Sequence, residues 1–422
     1  MNIMIKNKID NLRTLTTTVL IVSALMMTTM TSHGQTRLTL DECIQIADKN
    51  SYSIKAGKSE IEKSRILQGT AWDMNNTELS LGQDPTAGGS PDNALTLSQS
   101  FDFPTIYTAR RNVLKAETNV ATQQLNVIHK QLDAEITKTY ELMVYTQERI
   151  QILASLDSVF CKDVSLATER YKAGESRQLE QLAAQRLLDE NRIETMALQA
   201  TYHSAQQQLM SLLDTSEPVI PTTEHLQIFS YTPPSDTNFD QTAEGQLFTH
   251  QLDRMNKKIK EAQTGFLPSF SIGLRNQLVI SGWNPYHVDR SSYDKGSFMG
   301  FEVGVGIPLF FGATKAKVKA ARKDQEITTL YKQQAAKRQH AAYQSLMSQY
   351  LAARNRVDYY EQTGNKRASE VSRIAQLSYE NGEIGYIEYF NALKEAIDTR
   401  QKYAEAIHLY NQSVIDLQYL NQ

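Results

Sequence analysis

The residues able to carry chemistry are few and scattered. Among 422 residues there are 2 cysteines and 8 histidines. Cys43 and Cys161 fall on different predicted helices, and nothing in their spacing brings them together. They read as isolated thiols partly buried in helix packing, although export would make a disulfide chemically possible. The histidines are dispersed and the methionines scattered, so no group with copper- or zinc-type ligand spacing forms. There is no nucleophile elbow, phosphate loop, Cys-x-x-Cys or His-Glu-x-x-His. No catalytic residue, cofactor or resident metal is expected. What recurs instead is a turn, Tyr171-Lys-Ala-Gly-Glu175 and Tyr379-Glu-Asn-Gly-Glu383. In each, a glycine follows a long helical run and can supply the positive φ that a helix stop requires.

The elements around these turns are long. From about Thr105 to Tyr171 there is neither proline nor glycine. At 1.5 Å per residue this predicts a helix of roughly 100 Å. Its apolar stripe is narrow: Leu125, Ile128, Leu132, Ile136, Tyr140 and Met143 recur every three or four positions. Gly174 breaks the run, and a second helix from about Glu175 to Leu213 folds back as an antiparallel partner. A similar run from about Ala313 to Asn381, broken only at Gly364, is closed by Gly382, and a last helix continues to about Leu420. Its seam places Phe390, Ile397 and Ala404 at one position and Leu393, Ile407 and Val414 at the other, interrupted by Arg400 and Asn411. Thr39-Leu-Asp-Glu42 fits a capping box opening a short helix to about Asn50, and another runs from about Ser53 to Trp72.

Before each long run the period changes to two. Leu95, Leu97, Phe101 and Phe103 alternate with Thr96, Ser98, Ser100 and Asp102. Met299, Phe301, Val303, Val305 and Ile307 alternate with glycines and Glu302. With Glu78–Gly82 and Phe270–Leu274 these form two predicted hairpins, each with one apolar and one wet face. Pro104 ends the first and Pro308 the second.

The chain therefore divides into a first repeat, 35–213 (N-terminal helices, β-hairpin 77–103, helical hairpin with its tip near 174), an irregular connector, 214–245, and a second repeat, 246–422 (helix, β-hairpin 268–308, helical hairpin with its tip near 382). A shift of about 208 positions pairs Tyr171 with Tyr379, Gly174 with Gly382, Glu180 with Glu388 and Arg192 with Arg400.

Residues 1–34 read as a signal peptide. Lys6, Lys8 and Arg13 precede an apolar stretch from Leu15 to Met30, and Ser32 and Gly34 precede a cut before Gln35. A membrane anchor is the alternative, but the stretch is under about 18 residues and carries threonines. The segment holds a net +2, so its removal takes the formal charge from -3 to -5 and leaves nucleic acid unsupported as a partner. No cysteine at the cut suggests a lipid anchor. No other stretch of about 20 apolar residues exists, so a membrane span would have to be a β-barrel. Two hairpins cannot close one, which requires several chains to share it. Apolar strand faces would then meet lipid and the polar faces a wet lumen. Trp283, Tyr286 and Tyr293 in the second loop suit a membrane interface or ordinary loop packing alike. A mean hydropathy of -0.45 and thin helical seams suit rods wet on two sides, either the wall of a tube or a solid coiled coil.

This order of elements resembles the TolC-like outer-membrane efflux family over essentially the whole mature chain. The residues that carry the resemblance are Leu38-Thr-Leu-Asp-Glu42, Ile307-Pro-Leu-Phe-Phe-Gly312 followed by Lys315-Ala-Lys317, and the two glycine turns. It implies a mainly α fold with β: a trimeric outer-membrane β-barrel with four strands per chain, continued by a long antiparallel α-helical coiled-coil barrel in the periplasm. It further implies that Tyr171, Gly174, Glu175, Tyr379, Gly382 and Glu383 form tips that meet a periplasmic adaptor, itself joined to an inner-membrane transporter of RND type. Family members carry acidic residues just past the second tip, where three chains constrict the tunnel. The matching positions are Glu388 and Asn391, of which only the first keeps the charge. Three Glu388 carboxylates would repel one another and attract cations; an exposed helix glutamate is the plainer reading. Glu180, its repeat partner, is expected to face outward. Ile384 stands where some members place a basic gate-locking residue, so that lock does not carry over.

The phrase from Ile307 to Lys317 looks most like channel subunits of heavy-metal cation efflux systems. Drug efflux, type I secretion and an exported coiled-coil scaffold or adhesin without a pore remain open. A periplasmic polymer-binding or lytic enzyme has no paired acidic or histidine signature to support it.

Overall fold

A computed structural model describes residues 36–85, 91–234, 238–278 and 298–422. The expected signal peptide and the loop aromatics Trp283, Tyr286 and Tyr293 lie outside the described residues. In chain order the elements are β1 (Thr36–Leu38), α1 (Leu40–Asn50), α2 (Tyr52–Leu67), β2 (Glu78–Pro85), β3 (Pro91–Asp102), α3 (Pro104–Lys172), α4 (Gln178–Leu213), β4 (Val219–Pro221), α5 (Ala243–Gln263), β5 (Ser269–Leu278), β6 (Phe298–Gly306), α6 (Gly312–Tyr359), α7 (Asn365–Glu380) and α8 (Tyr386–Leu420). The chain is mainly helical with few strands. Among the described residues two compact units form, one from 36–47 with 139–226 and the other from 48–138 with 227–422.

In the first unit β1 pairs in parallel with β4, Thr36 opposite Val219. Two side chains secure this ribbon: Tyr140 donates its hydroxyl to the Leu38 carbonyl at 3.1 Å, and Gln206 donates to the Val219 carbonyl at 2.9 Å. The capping box closes α1, with the Thr39 amide donating to Glu42 Oε2 at 2.8 Å and the Glu42 amide to Thr39 Oγ1 at 3.3 Å. Those bonds to the carboxylate hold the Glu42 pKa below its usual value. The C-terminal half of α3 and α4 run antiparallel. Arg149 bonds Glu194, Asn191 donates to the Leu153 carbonyl, and Gln181 bonds Thr168, a register that descends along one helix as it climbs along the other. Both thiols are free. Cys43 is fully buried, which pushes its pKa up to about 12, whereas Cys161 is exposed beside Arg192 rather than partly buried as expected.

In the second unit the strands form one antiparallel sheet of order β2-β3-β5-β6. The two predicted hairpins are joined edge to edge through β3 and β5, with Leu97 opposite Leu274 and Phe101 opposite Phe270. Register then aligns one apolar row across all four strands, Leu79, Leu97, Leu274 and Phe301. The alternate row, Glu78, Ser98, Gly273 and Glu302, is polar. The apolar face is bare: Leu79, Leu81, Leu97, Ile272, Leu274, Met299, Phe301, Val303 and Val305 are all exposed, Phe301 at 82%. Leaving one such side chain in water forgoes about 1.5–3 kcal/mol, so a patch of this size needs an apolar environment. The outer edges of β2 and β6 carry no strand partner among the described residues.

Below the sheet α5, α6, α7 and α8 pack side by side. Of the expected seam, Phe390, Ile397, Ala404, Ile407 and Val414 are buried. Asn411, which breaks that seam, is 0% exposed and fully used: its Oδ1 accepts from the Phe229 amide at 2.9 Å and its Nδ2 donates to the Gln227 carbonyl at 2.7 Å. A polar residue in the seam thus fastens the connector. The break expected at Gly364 is not a helix end. Residues Tyr360–Gly364 form a π turn between α6 and α7, and the helix continues through it.

Candidate functional site

The two glycine turns are built alike. Gly174 has φ 76° and Gly382 has φ 75°, the left-handed region in which a side chain would be strained. At the first, the Gly174 amide donates to the Tyr171 carbonyl at 3.1 Å and the Glu175 amide to the Arg170 carbonyl at 2.9 Å. At the second, the Gly382 amide donates to the Tyr379 carbonyl at 3.1 Å and the Glu383 amide to the Ser378 carbonyl at 2.8 Å. Both pairs are the 5→2 and 6→1 bonds of a Schellman stop. They satisfy carbonyls that would otherwise be orphaned at the end of a helix. Glycine, glutamate and the next residues are largely exposed at both turns.

The side chains around the two turns differ. At the first, within its own unit, Tyr171 is 41% exposed, and Leu179 and Leu182 project at 65% and 59%. Glu180, at the third position of α4, lies 3.9 Å from Arg170 with its side chain only 17% exposed. At the second, Tyr379 stacks on Tyr389 with ring centroids 4.9 Å apart and planes 8° off parallel. Tyr386 meets both rings and Phe390, and Tyr386, Tyr389 and Phe390 are buried. These three aromatics were missed as a site. Their spacing of three and four after the stop is the signal that could have found them, since it puts them on one face of α8.

Glu388 occupies the third position of α8 and is exposed. Its Oε2 accepts from the Gly385 amide at 3.3 Å, and its own amide donates to the Gly385 carbonyl at 3.1 Å. A carboxylate there also complements the positive end of the helix dipole. Asn391 lies one turn further along α8, also exposed. Glu383 accepts from the Ser378 hydroxyl at 3.0 Å. The predicted residues thus gather into two separate turns, each within its own unit.

Elsewhere little suggests chemistry. Among the described residues no group of three or more His, Cys, Asp or Glu could hold a metal ion. No described helix is long and apolar enough to cross a membrane. A cleft of about 740 Å³ between α2, α3 and α5 is lined by Gly57, Ser64, Leu125, Ile128 and Arg254, and the Ser64 hydroxyl donates to the Glu60 backbone carbonyl rather than to a side-chain base.

The sequence profile of the outer membrane efflux protein family matches residues 247–420. No curated protein matches the sequence. Solved structures match over nearly the whole chain. The channel-forming protein CusC superposes with a TM-score of 0.74 at 17% identity, covering 92% of this chain and 93% of that one. The Neisseria gonorrhoeae MtrE outer membrane channel, in its open state, gives 0.71 at 15% identity over 90% and 88%. The Campylobacter jejuni CmeC outer membrane channel gives 0.69 at 15% over 90% and 85%. At such identities what is shared is the fold.

Proposed function

We propose that the chain, whose residues 247–420 match the profile of the outer membrane efflux protein family, is one subunit of an outer-membrane exit duct. The observation that carries this reading is the four-stranded sheet. One face is bare and apolar, the other is polar, and both outer edges lack a strand. In lipid an unpaired edge costs several kcal/mol per backbone group, so copies must close on one another, β6 of one against β2 of the next. Three copies give a barrel of twelve strands, the size that the family resemblance implies. The apolar face meets outer-membrane lipid, and Glu78, Arg275 and Glu302 face the lumen.

The helical hairpins extend the duct into the periplasm. Their two exposed stops, at Gly174 and Gly382, are the surfaces offered to a periplasmic adaptor, which joins the duct to an inner-membrane transporter of RND type. Glu388 and Asn391 line the constriction just beyond the second stop. The phrase from Ile307 to Lys317 favours heavy-metal cations as cargo. With no clustered ligands among the described residues, such ions would be guided by charge rather than held. Drug efflux and type I secretion use the same duct.

The test is reconstitution in planar bilayers. Folded trimers conduct, and Glu388→Gln lowers the preference for cations over anions by about twofold. Folded trimers without conductance would leave a scaffold or adhesin. Unchanged selectivity would remove Glu388 from the constriction.

A further inference from the structure

The end of the sheet where the helices begin is crowded with aromatic side chains. Register puts Asp102, Ser269 and Gly306 side by side as the last paired positions. Just beyond them Phe266 meets Phe311 at 5.7 Å, and Trp72 stacks on the buried Tyr107 at 5.3 Å. Tyr107 is tied to the strand end, its hydroxyl accepting from the Asp102 amide at 3.0 Å. Yet the outer members of this collar are bare: Trp72 is 56% exposed and Phe310 is 92% exposed.

A second, independent feature follows at once in sequence. The two helices that leave the sheet, α3 and α6, have no acidic residue in the first turn, and neither do α2 and α7. In α3 and α6 the first charges are cations. Arg110, Arg111 and Lys115 precede the first acid of α3, and Lys315, Lys317, Lys319, Arg322 and Lys323 precede the first acid of α6. Lys315, in the first turn of α6, opposes the macrodipole there, and the other cations lie too far along their helices to feel it, so the dipole does not account for the band. Arg111, Lys115, Lys315 and Lys319 are exposed and have no ion-pair partner among the described residues.

We propose that this junction is a lipid-headgroup anchor: Trp72 and Phe310 seat in the interfacial zone of the periplasmic leaflet, and the basic band beneath them binds phospholipid phosphates. The proposal rests on the reading that the sheet spans the membrane. Amphipathic rings and long basic side chains both favour that boundary, the rings at the level of the headgroups and the cations beside phosphate. A band of cations at the edge of an apolar belt therefore marks where the membrane stops. It fixes how far the duct stands in the bilayer.

The sequence has two tryptophans, so Trp283→Phe leaves Trp72 as the reporter. The full chain is placed in vesicles of phosphatidylcholine with phosphatidylglycerol, containing lipids brominated near the headgroup or near the chain end. Trp72 emission is quenched about twofold more by the shallow bromines. Conductance is read from the same preparation. Intact conductance without quenching overturns the anchor and leaves the duct; absent conductance from folded trimers overturns the duct itself. As a second arm, Lys315→Glu with Lys319→Glu and Arg111→Glu abolishes the rise in thermal midpoint that phosphatidylglycerol gives over pure phosphatidylcholine. An unchanged rise shows that the basic band faces the lumen or another copy, and removes phosphate binding from the proposal.

Discussion

The two helix stops share a backbone and differ in everything attached to it. At Gly174 and Gly382 the φ values differ by 1° and the same two hydrogen bonds close each helix. Around the first lie charges and glutamine, with Arg170 near Glu180 and Gln181 bonded to Thr168. Around the second lies a packed group of tyrosines and Phe390. The stop is a backbone solution that tolerates many neighbours, whereas the neighbours set how hard the two helices are to part. Aromatic stacking and burial hold the second stop more firmly than surface charge can hold the first.

Replacing Tyr389 with alanine makes the sharpest test. It removes a buried ring and its stack, and should lower the local opening free energy at the second stop by about 3 kcal/mol. Gln181→Ala, its counterpart at the first stop, should cost under about 1 kcal/mol. Hydrogen exchange of amides flanking each stop reads both, and equal costs would break the comparison. Next come Gly174→Val and Gly382→Val. Each forces a side chain into the left-handed region at about 1–2 kcal/mol. The same measurement at the Glu175 and Glu383 amides should give equal losses, because nothing lies within 4 Å of either glycine's missing Cβ.

The smallest effect is a difference in pH response. Asp163 on α3 is half-buried, which raises its pKa from 3.8 to about 6, while Val371 stands at its repeat position. The folded state therefore binds this proton more tightly than the unfolded one. Stability contributed by protonation is present at low pH and is lost as pH rises from 3.8 through about 6. Solvent screening of the half of the group that stays exposed limits the loss to about 1 kcal/mol. Asp163→Asn should flatten the dependence of the urea midpoint on pH over that window; a midpoint with the same slope would show that burial does not act through this carboxyl.

Much of the secondary structure was legible because its punctuation is local. Pro104 opens α3 at the first helical position, where the missing amide proton costs nothing, and Thr39 with Glu42 caps α1. Alternation revealed which strand faces are apolar. It could not reveal that β3 pairs with β5, since a face pattern does not choose its neighbour. The role of Glu388 at the start of α8 follows from its place three residues after Gly385, a spacing that the family resemblance had drawn attention from. Of the aromatic group at the second stop only Phe390 was visible, as a seam position, because residues spaced three and four apart mark a buried face without naming what they meet. Asn411 looked like a flaw in that seam until its two backbone partners in the connector were known. Gly364 was legible as an irregularity but not as a π turn, because glycine relaxes a helix without dictating how.

That π turn has a consequence for timing along the rod. The run after the second sheet hairpin comes in pieces of 48, 5 and 16 residues, which together equal the 69 of α3. One extra residue in a single turn sets every later side chain about 100° out of phase with an unbroken helix. Two rods with the same number of links therefore cannot wear the same stripe from end to end. The second rod leaves Ile327, Leu330 and Tyr331 exposed before Gly364 and Val371, Ile374 and Leu377 exposed after it. A single slipped link lets one chain carry two differently aimed ribbons from an almost periodic thread.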